Sequence, residues 1–407
     1  SLRRQRQMCI RDRPIMVVVE SPNKARTIAS FFGRPARRRI GSLTVYEVNA
    51  EKHVVNIAAT GGHLSDLTVG RGFHGVEVGE QVVPVFETIK KCKNCGEQFT
   101  GPHCPYCKSL DYTDKMSVVE GLRELAKEVD EIYLATDPDM EGEKIAYDAA
   151  LLLRCFNNRI WRAEFHEVTR KAFTKALENP RSLDIRLVEG QILRRIADRW
   201  VGFELSQHLW KTFGSPRLSA GRVQTPVLGW IVGRMEEAKE KLGLLKLKVE
   251  GFEVKLTIPD LEQAERLLRD AEILEVEVLE EKLETVKPPP PLSTDAMIKE
   301  ASRLLGFDAS KTMRLAQDLF EAGLITYHRT DSVRVSAAGI SVAQRYMAEA
   351  ALERLFKPRK WSEKGAHECI RPTRPLDVEQ VRLVFYSGAL KGKIAGSHLR
   401  LYDLIFR

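Results

Sequence analysis

Long apolar runs are missing from this 407-residue sequence. The stretch Ile15-Met16-Val17-Val18-Val19 near its start falls far short of the roughly 18 residues that span a bilayer, so no membrane span is expected. Cysteine is sparse, with seven in all, and Cys9, Cys155 and Cys369 belong to no motif. That usage argues against a disulfide-stapled secreted domain and fits a reducing cytoplasm. The phosphate-loop pattern Gly-x-x-x-x-Gly-Lys-Ser/Thr does not occur, so no ATP use through that motif is expected. No repeat of fixed period is found. A large excess of one charge is missing too: 64 Lys and Arg face 56 Asp and Glu, a net +8. Half of that excess sits in residues 1–13, which hold five Arg and one Asp. This leader has no apolar period, no capping residue and no hydrophobic h-region, and it reads as a foreign segment; the rival reading is a phosphate-binding arm. The remaining body is only mildly basic, so any nucleic-acid site must be a local stripe.

What is present suggests two to three domains on length alone. The apolar run at 15–19 reads as a central parallel strand buried on both faces, ended by Glu20. Ser21-Pro22 then reads as N-cap and first helical position, with a helix over 24–32 stopped by Gly33. The same grammar returns at 131–136, where an apolar run meets an acidic turn before a helix over about 143–153. Strands alternating with helices predict an α/β domain over 14–157. Residues 158–241 read as helical, and 242–290 as a small β-containing piece with alternation at Val254, Leu256, Ile258 and again at Leu274, Val276, Val278. Lys287-Pro288-Pro289-Pro290-Pro291 is a stiff connector and the strongest boundary. Beyond it, over 291–407, helices at 294–305 and 310–322 precede a strand-like 324–327, the order of a winged-helix unit.

Three clusters carry chemistry. Glu20 closes the first strand, and Asp137, Asp139 and Glu141 crowd the turn after the second. Ligands of open parallel sheets bind outside the carboxyl ends of the strands, so all four acids are expected at one crevice. Carboxylates this close repel unless protonated or bridged, and hard oxygens suit Mg²⁺. A solvated acidic turn is the bland alternative. An EF-hand is excluded because a helix begins almost at once after Gly142, leaving no twelve-residue loop.

Cys92-x-x-Cys95 and Cys104-x-x-Cys107 form two tight knuckles whose thiolates suit one tetrahedral Zn²⁺, structural rather than redox-active because no thioredoxin-like context surrounds them. His103 is a substitute ligand candidate. In Thr326-Tyr327-His328-Arg329-Thr330-Asp331-Ser332, extended backbone predicts Tyr327, Arg329 and Asp331 on one face. A phenol is a poor nucleophile unless cations stabilise its anion, which Arg329 is expected to do. Local sequence alone favours a packing role for Tyr327.

These clusters occur in order with Glu20-Ser21-Pro22-Asn23-Lys24-Ala25, Ser219-Ala220-Gly221-Arg222-Val223-Gln224-Thr225-Pro226 and His367-Glu368-Cys369-Ile370-Arg371-Pro372-Thr373. Together they resemble a type IA DNA topoisomerase from about residue 15 to the last. The knuckle, Phe165-His166-Glu167-Val168-Thr169-Arg170 and Ala197-Asp198-Arg199-Trp200 make the chain most similar to the topoisomerase half of reverse gyrase. The resemblance implies a multidomain α/β fold. It comprises a Toprim domain (a Rossmann-like parallel sheet) with a zinc-knuckle insertion at 92–107, a helical DNA-gate domain, a small β-containing hinge domain and a winged-helix-like catalytic domain, in a toroid incomplete at the C-terminus.

By the same resemblance Tyr327 attacks a single-strand phosphodiester and leaves a 5'-phosphotyrosyl link, conserving the bond's energy so that resealing needs no ATP. Arg329 clamps the scissile phosphate, Lys24 stabilises or protonates the departing 3'-oxygen, and His367 is the active-site histidine. Asp331 orients neighbours. Arg170, Arg222, Gln224 and Arg371 are implied DNA contacts, and Glu20, Asp137, Asp139 and Glu141 the Mg²⁺ side of the cleft. The implied partners are single-stranded or underwound DNA and an ATP-dependent helicase-like chain or domain, the sequence being expected to be a fragment. A Toprim nuclease or primase-like enzyme, and a zinc-stabilised DNA-binding module without catalysis, are the alternatives.

Overall fold

A computed structural model describes residues 13–50, 53–249, 251–270, 273, 277–286, 288–362, 367–388 and 394–407. Apart from Arg13, the expected leader lies outside the described residues, as do Leu274 and Val276. The chain divides into two compact units, one built from Ser1–Ile196 with Pro289–Arg407 and the other from Ala197–Pro288.

The first unit is organised by a six-stranded sheet in the order Ile160–Arg162, Glu131–Leu134, Arg13–Val19, His53–Ala59, Leu43–Ala50, Ala36–Ile40. The first four strands are parallel, with Ile15 beside Glu131 and Val55. The last two are antiparallel, so the expected parallel sheet carries an antiparallel edge. Two-residue connections, such as Gly41-Ser42, reach only an antiparallel neighbour, whereas parallel pairing needs a long crossover.

Alternation along the central strand sends its side chains into two cores. Met16 and Val18 pack with Leu122 and Leu125 of the helix Met116–Ala126 and with Ala146 and Ala149 of the helix Met140–Leu153. Ile15, Val17 and Val19 pack with Ile28 of the helix Pro22–Ser30 and share a cluster with Leu319, Phe320, Ile325 and Tyr327. One hydrophobic cluster therefore joins the sheet to the tyrosine-bearing segment, and it fixes the cleft between them.

That segment begins with the helices Thr294–Leu305 and Ala309–Glu321. The expected strand at 324–327 is absent as such. Its backbone instead bridges two irregular segments, with Thr326 N–H donating to Arg371 O (2.9 Å) and Tyr327 N–H to His166 O (2.8 Å). Gly323 makes the approach feasible: its φ is +71°, and a Cβ there would lie 2.3 Å from Val168 O. The N-terminal helix starts at Pro22 behind its Ser21 cap, as the sequence indicates, whereas the acidic-turn helix starts earlier than expected, at Met140, because Asp139 caps it.

In the second unit, the helix Gln224–Glu237 is followed by the hairpin Gly243–Val249/Phe252–Ile258 and the helix Leu261–Asp270. The hairpin confirms alternation at Val254, Leu256 and Ile258; Val278, by contrast, is exposed and in no strand. Leu228, Trp230, Ile231 and Met235 are all more than half exposed, so apolar surface is bared on more than one side of this helix. Among the described residues no helix is long and apolar enough to cross a membrane.

Candidate active site and metal centres

Glu20 and Asp137 follow the ends of neighbouring parallel strands, which places both at the carboxyl edge of the sheet. The turn after Leu134 is bound to fold tightly. Thr136 Oγ1 donates to Gly142 O (2.6 Å), and Asp139 Oδ1 caps the helix by accepting from Gly142 N–H (2.7 Å). A Cβ at Gly142 would stand 2.1 Å from Asp137 O, so only glycine fits this turn. Behind it lies Arg162, with no exposed surface. Its guanidinium donates to Glu143 Oε2 (2.9 Å) and to the carbonyls of Leu134, Thr136 and Asp137 (2.9, 3.1 and 2.8 Å).

Glu20, Asp137, Asp139 and Glu141 line one cavity of about 340 Å³ with Gln317, His328 and Arg329. Their partners differ. Lys24, 1% exposed, donates to Asp137 Oδ1 (2.8 Å) and to Ala135 O (3.3 Å), and its ammonium lies over the Phe165 ring. Burial opposes ionisation of Asp137, but Lys24 outweighs it and holds the carboxyl below its ordinary value. Glu141 is held down to about 2 by His63 (3.1 Å), against burial, with help from Arg329 (3.1 Å). Glu20 has no such partner. Its Oε2 is buried without a hydrogen bond, and burial together with the charges of Asp137, Asp139 and Glu141 pushes its pKa to about 7, despite Lys24.

Tyr327 is 2% exposed and its hydroxyl donates to Asp139 Oδ2 (2.5 Å). The phenol and the acidic turn are thus in direct contact across 188 positions of sequence. Its charge state corrects the expectation from sequence. Burial, the charge of Asp139 and the hydrogen bond to it push the phenol's pKa well above its ordinary value, and Arg329 only partly opposes them. Arg329 reaches Asp139 (3.4 Å) and Glu141 (3.1 Å) instead, so Tyr327 rests as a neutral acid.

The other expected residues fall into four groups. His367 stands beside the tyrosine, ring centroids 6.0 Å apart, and Asp331 is exposed with its charge acting on His367. Arg371 is a correction to its expected role as a phosphate contact. It is 7% exposed, and its donors are taken by Glu368 (2.7 and 2.9 Å), Glu167 (3.1 Å), Ser336 and Pro372 O, which makes it an internal strut. Arg170 opens the helix Arg170–Glu178 over the Phe32 ring. Arg222 and Gln224 belong to the second unit, where Arg222 pairs with Asp198 (2.8 Å) and Gln224 with Ser219 (3.3 Å).

Sequence reasoning missed His63, Arg162, His166 and His328. The Gly61-Gly62-His63 turn carried a signal, because it follows the strand His53–Ala59 and its Gly61 N–H donates to Glu20 O (2.8 Å) at the same sheet edge. Arg162 sits in a three-residue strand with no motif to mark it.

The chemistry of the donors fits Mg²⁺. A buried carboxylate oxygen without a partner and an acid raised towards pH 7 by burial and then by like charges both call for a hard cation, with Glu20, Asp139 and Glu141 nearest to hand and Asp137 engaged by Lys24. The four cysteines fit Zn²⁺. Their sulfurs all lie within 4.8 Å of one another, with Cys92 and Cys104 buried. The three short strands Lys90–Cys92, Gln98–Phe99 and Tyr112–Asp114 carry the knuckle, packed by Phe99 on Tyr112. Backbone N–H donation from Cys95 lowers the Cys92 thiol to about 6, whereas Cys95 and Cys107 are raised, against backbone donation from Glu97 and Ser109, by burial and by the neighbouring sulfurs.

Comparison with known proteins agrees with this anatomy. Residues 15–168 match the Toprim domain, a Mg²⁺-binding fold, and residues 182–407 match the DNA topoisomerase family. The chain is 48% identical to reverse gyrase 2 of Aquifex aeolicus over 397 residues, covering 96% of this chain and 34% of that protein. Reverse gyrase of Pyrococcus furiosus is also 48% identical, over 404 residues, with 96% and 33% covered. The chain thus spans about a third of the length of these relatives. Full-length topoisomerase I of Thermotoga maritima superposes with a TM-score of 0.67 at 30% identity, covering 96% of this chain and 59% of that one. From its acidic turn to its tyrosine, the chain belongs to the type IA DNA topoisomerase family.

Proposed function

We propose that this chain breaks and rejoins single DNA strands through a 5'-phosphotyrosyl intermediate at Tyr327, as the topoisomerase part of a reverse gyrase. The contact of the Tyr327 hydroxyl with Asp139 is the observation that carries the reading. It joins a nucleophile to an acceptor for its proton within an acidic, cation-ready cleft.

In this mechanism the phenolic oxygen attacks the scissile phosphorus while its proton passes to Asp139 Oδ2, to which it already donates. The new P–O(phenol) bond replaces the P–O3' bond. Lys24 delivers a proton to, or hydrogen-bonds, the departing 3'-oxygen; its pairing with Asp137 offsets the cost of burying its ammonium. Arg329 is half-exposed and transfers an N–H from the acids to the phosphate as the strand enters. Glu20, Asp139 and Glu141, with Asp137 behind them, would hold Mg²⁺, which when bound supplies positive charge opposite the phosphate. Resealing reverses these transfers, and no ATP is consumed.

The substrate is single-stranded or underwound DNA. The ATP-driven work of positive supercoiling belongs to a helicase-like part that the matching third of these relatives leaves to the rest of their length. The test is relaxation of underwound plasmid with Mg²⁺ by this chain and by Tyr327→Phe. Relaxation by the parent and none by the variant is expected; equal relaxation by both refutes the reading.

A further inference from the structure

Beside the cleft runs a chain of polar contacts that the mechanism above does not use. Arg181 directs both Nε (2.9 Å) and Nη2 to Oε2 of Glu164. The other oxygen, Oε1, meets His166 Nε2 at 3.3 Å. His166 Nδ1 in turn meets His367 Nδ1 at 3.1 Å, with the rings 5.0 Å apart and edge-on. His166 is itself fixed, since its carbonyl accepts the Tyr327 N–H.

Two imidazoles that face each other through Nδ1 must divide one proton, and their surroundings decide which ring carries it. Ionised Glu164 is an acceptor only. Its pKa is lowered to about 2, first by the hydrogen bond from His166 and, against burial, by Arg181. A neutral His166 therefore places its proton on Nε2 and offers a lone pair at Nδ1. His367 must then donate from Nδ1, which leaves its Nε2 as a lone pair. That nitrogen has no protein partner among the described residues and is not shut away as a buried orphan, so it is open to what enters the cleft. Besides His166, the charged groups that act on His367 are Glu164, Asp139 and Asp331, with Arg334 bonded to its backbone carbonyl.

We propose that His166 is a positioning residue: held by Glu164 and Arg181, it locks His367 in the Nδ1–H tautomer, so that Nε2 faces the reacting strand as a hydrogen-bond acceptor. The idea rests on the strand-cleavage reading for its purpose, but its physical content is a tautomer that is measurable without DNA. An acceptor beside the tyrosine suits resealing: it takes a hydrogen bond from the 3'-hydroxyl and aims that oxygen at the phosphotyrosyl phosphorus, while the proton leaves by the reverse of the Lys24 step.

The decisive variant is Glu164→Gln. Arg181 holds the position of Oε2, so the glutamine oxygen stays with Arg181 and its NH₂ turns towards His166 Nε2. Proton direction through the pair then reverses, and His367 becomes the Nε2–H form. Long-range ¹H–¹⁵N correlation on histidine-labelled protein at about pH 8, above imidazole titration, reads this directly, with His367→Asn providing the assignment. We expect the protonated and bare nitrogen resonances of His367 to exchange places, and single-turnover resealing to slow by about 10²-fold. In a His166→Phe background, Glu164→Gln should change neither readout. An unchanged His367 tautomer in Glu164→Gln overturns the proposal, as does a reversed tautomer with resealing at the parent rate. If the parent chain forms no adduct at all, the cleavage reading fails while the tautomer test still decides the lock.

Discussion

Replacing Arg162 by Met tests what holds the acidic turn in place. The guanidinium is wholly buried and makes one bond to the Glu143 carboxylate and others to the carbonyls of Leu134, Thr136 and Asp137, so it ties the last strand residue to the turn that presents Asp137 and Asp139. Breaking a buried pair by removing one partner costs about 3–5 kcal/mol. Glu143 retains Arg181 (2.8 and 2.9 Å) and the Asp184 N–H (2.7 Å), which lowers the cost, whereas the Thr136 and Asp137 carbonyls lose a buried donor, which raises it. A net loss of about 3–4 kcal/mol follows, equivalent to a Tm lower by about 5–6 °C for a unit of this size. Arg162→Lys should recover less than half of it, because one ammonium cannot reach both Glu143 and the Asp137 carbonyl. Thermal unfolding followed by circular dichroism, with denaturant melts for ΔG, provides the measurement. A Met variant within about 1 kcal/mol of the parent refutes the reasoning and makes the turn self-supporting.

Three further outcomes are expected. Lys24→Met strands the buried Asp137 charge, so it should destabilise the first unit by about 3–5 kcal/mol in denaturant melts and reduce DNA cleavage even where the protein remains folded; an unaltered midpoint contradicts the pairing. Thiol modification should release about one zinc per chain, and hydrogen exchange should then rise over the strands at 90–114 but not over the six-stranded sheet; release of none contradicts the assignment of zinc to the four cysteines. Glu164 has a folded pKa of about 2, below its ordinary 4.5, so its contribution is complete above pH 4.5 and is lost as pH falls from 4.5 to 2. After discounting for its partial exposure the loss is about 1–2 kcal/mol, and it should be missing from the acid limb of Glu164→Gln unfolding curves.

Much of this anatomy was legible in the sequence because backbone rules are local. The apolar run at 15–19, the cap Ser21 and the paired Cys-x-x-Cys knuckles each declare an element by spacing alone. The convergence of Glu20 with Asp137 followed from one general property of parallel sheets, and the structure places them at neighbouring strand ends. What sequence did not reveal is who pairs with whom. Arg371 looked like a free cation in its motif, yet Glu167, some two hundred positions earlier, neutralises it. Tyr327 looked ready to ionise beside Arg329, but Asp139, 188 positions away, keeps its proton in place. His166 and His367 are 201 positions apart, and neither carries a local mark of the other. Side-chain charge states are set by such contacts, and only the folded chain brings them together.

Strand cleavage by Tyr327 is tested most directly by the chemical identity of the covalent link. A single-stranded oligonucleotide cleaved in the presence of Mg²⁺, trapped by denaturant, digested with protease and nuclease and analysed by mass spectrometry reveals which side chain carries the nucleotide and through which end. Attachment of a 5'-phosphate to the phenolic oxygen of Tyr327 is the predicted result. A link at any other residue, or one through a 3'-phosphate, contradicts it.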